Sequence, residues 1–145
     1  MHIYTRKVQY YETDKMNFVH HSNYIRWFDE SRVDYLESIG LPFDKMEADG
    51  LLSPVLEMNC KYHRACTFGD TVDIAVAMTR FERLRFGFAY RVTDHARGTL
   101  LAEGSSVHCF MNAAGRPVAL ERSAPQLAER FAAVHAQDTA QWEQR

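Results

Sequence analysis

Tyr24, Trp27, Phe28, Ser31, Tyr35, Leu36 and Ile39 recur at three- and four-residue spacing, the pattern of one buried helix face. Arg26, Asp29, Glu30, Arg32, Asp34 and Glu37 fill the opposite face, which predicts an amphipathic helix over 22–38, about 25 Å long at 1.5 Å per residue. Ser22 is placed to cap its first turn, and Gly40 with Pro42 to end its last.

Elsewhere the period shortens to two. Residues 2–11 mix aromatic, β-branched and charged side chains in rough alternation, as an edge or half-exposed strand does. Leu56, Met58, Cys60 and Tyr62 alternate with Glu57, Asn59, Lys61 and His63. Val72, Ile74, Val76 and Met78 repeat the pattern, then Phe86, Phe88, Tyr90 and Val92, and a last strand runs through LLAEGSSVHCFM, where Gly104, Ser105 and Ser106 permit close packing. Turn residues separate these runs at 68–70, 82–83 and 94–98. The order β-α-β-β-β-β gives an α+β domain in which a five-stranded antiparallel sheet wraps the long helix, the one element able to cover its apolar face. A short C-terminal helix over about 124–136, held by Leu127 and Phe131, ends the chain.

The 145 residues suit a single domain, with a core over 2–120 and a helical tail over 123–145. A hydrophobic fraction of 46% and a charged fraction of 25% argue against disorder, and a net charge of −2 offers no global field for nucleic acid or an anionic membrane. No apolar run approaches the roughly 20 residues that span a bilayer, so membrane insertion is not expected. Cys60, Cys66 and Cys109 are odd in number and follow no metal-ligand spacing; reduced thiols in a cytoplasmic protein are expected, with no metal.

The chemistry concentrates in YYETDKMNFVHHSNY, residues 10–24. Asp14 falls where the first strand ends and His21 at the start of the helix. A helix N-terminus leaves backbone N–H groups unpaired and carries partial positive charge, so it stabilises a carbonyl oxygen gaining negative charge. A nearby carboxylate attacks that carbon or activates water beside it. Together they form the two halves of an acyl-transfer site. Glu12 reads as a solvated side chain at the strand end. His20 and His21, about 100° apart on a helix, diverge and do not chelate a metal together.

The pattern Tyr11-x-Thr13-Asp14-x-x-x-x-Val19-x-His21-x-x-Tyr24-x-x-Trp27-Phe28 resembles the N-terminal signature of hotdog-fold acyl-CoA thioesterases of the 4-hydroxybenzoyl-CoA thioesterase-like branch. The likeness continues through ESRVDYLESIGLPFDKM and LSPVLEMNCKYHRACTFGDTV into the later strands, covering roughly residues 2–120. It implies hydrolysis of an acyl-CoA thioester with no cofactor beyond the coenzyme A of the substrate. It also implies a homodimer or homotetramer with sheets paired edge to edge and the thioester at the interface. Asp14 takes the place of the catalytic carboxylate, and His21 that of the residue whose N–H meets the thioester carbonyl. Where the family usually has Gly three residues after the Asp, this chain has Asn17, the next most tolerant residue of left-handed backbone. On the substrate side the resemblance points to Asn17 and Tyr24. For the phosphates of coenzyme A it points to Arg83 and Arg85, with Lys61 and Arg64 as further cations. A non-catalytic acyl-thioester or acyl-carrier-protein binding module with the same fold is the competing class.

Overall fold

The computed structural model describes residues 1–145. Five antiparallel strands, β1 (His2–Lys7), β2 (Val55–Tyr62), β3 (Thr71–Phe81), β4 (Arg85–Asp94) and β5 (Leu100–Cys109), form one sheet in the order β1-β3-β4-β5-β2. The long helix α1 spans Ser22–Ser38, followed by α2 (Phe43–Ala48), and α3 (Leu120–Ser123) with α4 (Pro125–Glu143) closes the chain.

The periodicities place the core. Trp27, Phe28 and Leu36 of α1 lie on the buried Val72, Ile74, Val76 and Met78 of β3 and on Phe86, Phe88 and Tyr90 of β4. The Phe28 and Tyr90 rings stack at 4.4 Å. Gly104 of β5 makes that stack possible: a Cβ there would run into the carbonyl of Asn59 on β2 and come within 2.7 Å of the Phe28 ring.

Five features depart from the expectations above. The first strand stops at Lys7, and Tyr10–Glu12 forms a 3-10 turn. Glu12 is buried, because the turn folds its carboxylate inward onto Arg6 of β1, at 2.8 and 2.9 Å. Arg32 is also buried, its guanidinium donating at 3.0 Å to Nε2 of His108 on β5, while its charge is met by Asp29 at 3.1 Å. The cap of α1 is His21, not Ser22, which is already the first helical residue. Finally, α4 is 19 residues long, longer than α1. Its buried residues include Asp138, beyond the end at about 136 that the sequence predicts. In the fold Asp138 is buried and accepts hydrogen bonds from the Tyr35 hydroxyl at 2.5 Å and the Met78 N–H at 2.8 Å, a backbone donor that β1 is too short to pair.

Both outer strands have one free edge, but only β2 exposes apolar side chains along its length. Val55, Leu56 and Tyr62 are 46%, 49% and 45% exposed, whereas β1 exposes only Ile3 to a like degree, at 44%.

Candidate active site

Asp14 stands on a tight loop tied off by the isolated Thr13–Val19 bridge. Its N–H donates to the Phe18 carbonyl at 2.8 Å, and its carbonyl accepts the Asn17 N–H at 3.0 Å. The carboxylate closes the turn as well: Oδ1 accepts the Met16 N–H at 2.8 Å, which fixes the side chain and leaves Oδ2 unengaged. Asn17 has φ +68°, the only non-glycine residue of the chain in the left-handed region. It therefore serves the turn as glycine would. The loop is pinned from the other side by residues 66 and 67. The Thr67 hydroxyl donates to the Asn17 carbonyl at 2.5 Å, and the Val19 N–H donates to the Cys66 carbonyl at 2.9 Å.

The loop runs directly into α1, whose 17 residues direct their dipole toward it. At the junction the His21 N–H makes no hydrogen bond to any other atom of the chain. His20 lies outside the helix. Its Nδ1 accepts from the Ser22 N–H at 3.3 Å and the Ser22 hydroxyl at 2.8 Å, so an imidazole takes the capping role expected of Ser22. The helical divergence expected of the two histidines therefore does not apply, and their rings stand 4.2 Å apart. The exposed Tyr62 of β2 holds the junction from the sheet side, donating to the His21 carbonyl at 2.9 Å with its ring edge-on to His21 and Tyr24.

Beneath this surface lies Glu12. Besides Arg6, its carboxylate accepts the Gln9 N–H at 2.8 Å and the Trp27 indole N–H at 2.7 Å. Its carbonyl accepts the His20 N–H and the Asn23 side-chain amide, each at 2.9 Å. Burial acts to raise the Glu12 pKa, but the hydrogen bonds from Arg6, Gln9 and Trp27 outweigh it and hold the carboxyl below the usual range. One buried carboxylate thus joins β1, the 3-10 turn and α1. Sequence reasoning set Glu12 aside; a signal was present in Arg6 and Trp27, the two donors that flank it in sequence.

The other proposed contacts divide between the two ends of the sheet. Tyr24 is buried under the junction, its hydroxyl 3.4 Å from Cys66 Sγ, and burial, then Cys66, push its pKa up. Lys61 lies opposite Glu103 on the sheet face turned away from α1, and Arg64 follows Tyr62 by two residues at the Asp14 end. Arg83 and Arg85 sit at the β3–β4 turn. Register places Arg85 beside Cys109, whereas the Asp14 end holds Lys7, Thr71, Asp94 and Tyr62, so within one chain Arg83 and Arg85 are at the opposite end of the sheet.

Because the Asn17 backbone sets the Asp14 turn, Asn17→Gly is expected to keep thioester turnover within about twofold. Asn17→Val, which resists positive φ at a cost of about 1–2 kcal/mol, is expected to lower turnover at least severalfold. Steady-state thiol release by the two variants checks this.

Residues 8–137 match the model of the thioesterase-like superfamily. A protein of Aquifex aeolicus provisionally named an esterase is 36% identical over 109 residues, 75% of this chain and 84% of that one. A DHNA-CoA thioesterase from Staphylococcus aureus superposes with a TM-score of 0.87 at 30% identity, covering 92% of this chain and 90% of the other. A hypothetical protein from Thermus thermophilus gives 0.83 at 32% identity, covering 92% and 98%.

Proposed function

Because the chain belongs to the thioesterase-like superfamily and is a thioester hydrolase, we propose that it hydrolyses an acyl-CoA thioester with Asp14 as base or nucleophile and the His21 N–H as the donor to the carbonyl. The observation that carries this reading is the pairing of a carboxylate fixed by Met16, one oxygen unengaged, with an unpartnered N–H at the start of a 17-residue helix. The similarity to a named acyl-CoA thioesterase structure at 30% identity supports coenzyme A as the thiol.

The thioester carbonyl oxygen accepts the His21 N–H, and the helix dipole stabilises the charge that develops there as the carbon becomes tetrahedral. In one course Asp14 takes a proton from the attacking water. In the other it attacks the carbon itself, expels the thiolate and forms an anhydride that water then cleaves. Both courses consume one water and release the acid and free coenzyme A. Single turnover in oxygen-18 water tests the second course: label in Asp14 establishes an anhydride cleaved at its aspartyl carbonyl, and label confined to the product acid shows that water attacks the acyl carbon. Thiol release from a panel of short, long and aromatic acyl-CoAs tests the function itself. Turnover of at least one is expected, whereas binding without turnover of any would make the protein an acyl-thioester binding module.

The apolar free edge of β2 supports a dimer formed by strand pairing across a two-fold axis. Such pairing sets the Tyr62 end of one β2 beside the Val55 end of its partner, which is the end that carries Arg83 and Arg85. Leu56→Asp, a charge placed on that edge, is expected to shift the protein from dimer to monomer in size-exclusion chromatography with light scattering. An unchanged dimer would place the interface elsewhere.

A further inference from the structure

The His21 N–H is one end of a peptide unit whose other end is the His20 carbonyl. A trans peptide is planar, so the two groups point in opposite directions, and whatever fixes the carbonyl fixes the N–H. The His20 carbonyl is turned into the first turn of α1, where it accepts the Asn23 N–H at 3.0 Å. The His21 N–H is thereby aimed away from that turn, and it meets no acceptor in the chain.

His20 is itself held at three points. Its N–H donates to the Glu12 carbonyl at 2.9 Å, its carbonyl takes the Asn23 N–H, and its ring Nδ1 accepts the Ser22 hydroxyl at 2.8 Å and the Ser22 N–H at 3.3 Å. The Glu12 carbonyl is anchored in turn by the Asn23 side-chain amide at 2.9 Å. An N–H does not donate to a protonated nitrogen, so the Ser22 bond places the ring proton on Nε2. Two of the three holds are backbone to backbone and form with any residue at 20. The third belongs to the side chain, which closes residues 20–22 as asparagine closes a turn, from its own acceptor to the N–H two residues on. It also occupies the Ser22 N–H. The N–H groups of Ser22 and Asn23 are then both committed to His20, and of the three that follow His20 only that of His21 is open. The ring is exposed, so packing of the core does not account for it, and its polar contacts are to Ser22 alone.

We infer that His20 is a positioning residue of the site: by binding Ser22, its ring nitrogen holds the 20–21 peptide in the orientation that presents the His21 N–H to a thioester oxygen. This rests on the reading of that N–H as the donor to the carbonyl. The requirement is for an acceptor at the Nδ1 position, not for an imidazole as such. Asparagine places its Oδ1 the same number of bonds from the backbone, whereas phenylalanine keeps a ring to stack on His21, 4.2 Å away, and offers no acceptor.

The test compares kcat and KM for thiol release in wild type, His20→Asn and His20→Phe. Amide hydrogen exchange at Ser22 is followed by NMR in the same proteins, and melting curves confirm that each is folded. His20→Phe is expected to lower kcat about tenfold with KM within about twofold, a part of the roughly 10²–10³ that losing an oxyanion donor outright costs. His20→Asn, which keeps the bond to Ser22, is expected to hold kcat within about threefold of wild type. Ser22 should exchange faster in His20→Phe and near the wild-type rate in His20→Asn. Wild-type kcat in His20→Phe, a kcat in His20→Asn as low as in His20→Phe, or a change confined to KM overturns the inference, the last by making the ring a substrate contact. Absence of thiol release by the wild-type protein from every acyl-CoA overturns the proposed hydrolysis instead. The positioning of the 20–21 peptide then stands if His20→Phe alone loses protection at Ser22, and falls if both variants or neither do.

Discussion

Asp14→Asn is expected to lower thiol release from the preferred acyl-CoA by about 10³-fold, within the range for removing a positioned general base. The amide keeps the size and the Oδ1 that accepts the Met16 N–H, so the turn over Asp14 to Asn17 is retained and the loss reports chemistry. Binding should change far less, since the His21 N–H and the α1 dipole are untouched. The measurement is kcat and KM on the same substrate, with calorimetric binding of coenzyme A as the control. Turnover equal to wild type would remove Asp14 from the mechanism and leave its Met16 hydrogen bond as its whole role.

Glu12→Gln carries the second large effect, on stability. The side chain is 3% exposed and its carboxylate accepts from Arg6, Gln9 and Trp27. An amide keeps the shape but offers one acceptor where there were two, and it leaves the largely buried Arg6 without its closest counter-charge. Breaking a buried pair in this way costs about 3 kcal/mol, a fall in melting temperature of roughly 10 °C for a chain of this length. Glu30 also reaches Arg6, at 3.1 Å, but is itself 42% exposed, so Glu30→Gln is expected to cost less than about 1 kcal/mol.

The pH dependence follows from the direction of the shift. Folding lowers the Glu12 pKa, so the unfolded chain binds this proton more tightly than the folded one. Its contribution is complete above the unfolded value, about 4.3, and is lost as pH falls through the folded value. The melting difference between wild type and Glu12→Gln should therefore be constant from pH 8 to about 5 and shrink below that. His108 acts in a separate window. Burial, then the Arg32 charge, push it down to about 3, so its contribution is present above the unfolded value near 6.5 and declines as pH falls toward 3. Both proteins share that decline, and it cancels in the difference. A difference that grew on acidification would contradict the depressed Glu12 pKa.

The interior polar cluster around His108 shows why such groups escape a sequence reading. His108 Nε2 meets Arg32 and, at 2.8 Å, the Ser106 hydroxyl, which in turn meets the Tyr90 hydroxyl at 2.7 Å. Four residues from three elements assemble it, and of these only Ser106 and His108, two apart on β5, are close in sequence. Arg32 lies at the margin of the apolar stripe, where periodicity assigns a charged residue to solvent. Glu12 in the 3-10 turn was misplaced for the same reason: a carboxylate reads as exposed until the donors that neutralise it are folded around it.

Local pattern alone determined the elements: helix α1 to the residue and the alternation of β2 to β5. These are properties of neighbours along the chain, where side-chain period and backbone tolerance act over a few residues. The tertiary structure decided everything that depends on strand order and register. It set β2 at an open edge and sent Arg83 and Arg85 to the far end of the sheet from Asp14. It also chose which charges to bury, because the cost of desolvating an ion is offset only by partners that sequence distance conceals.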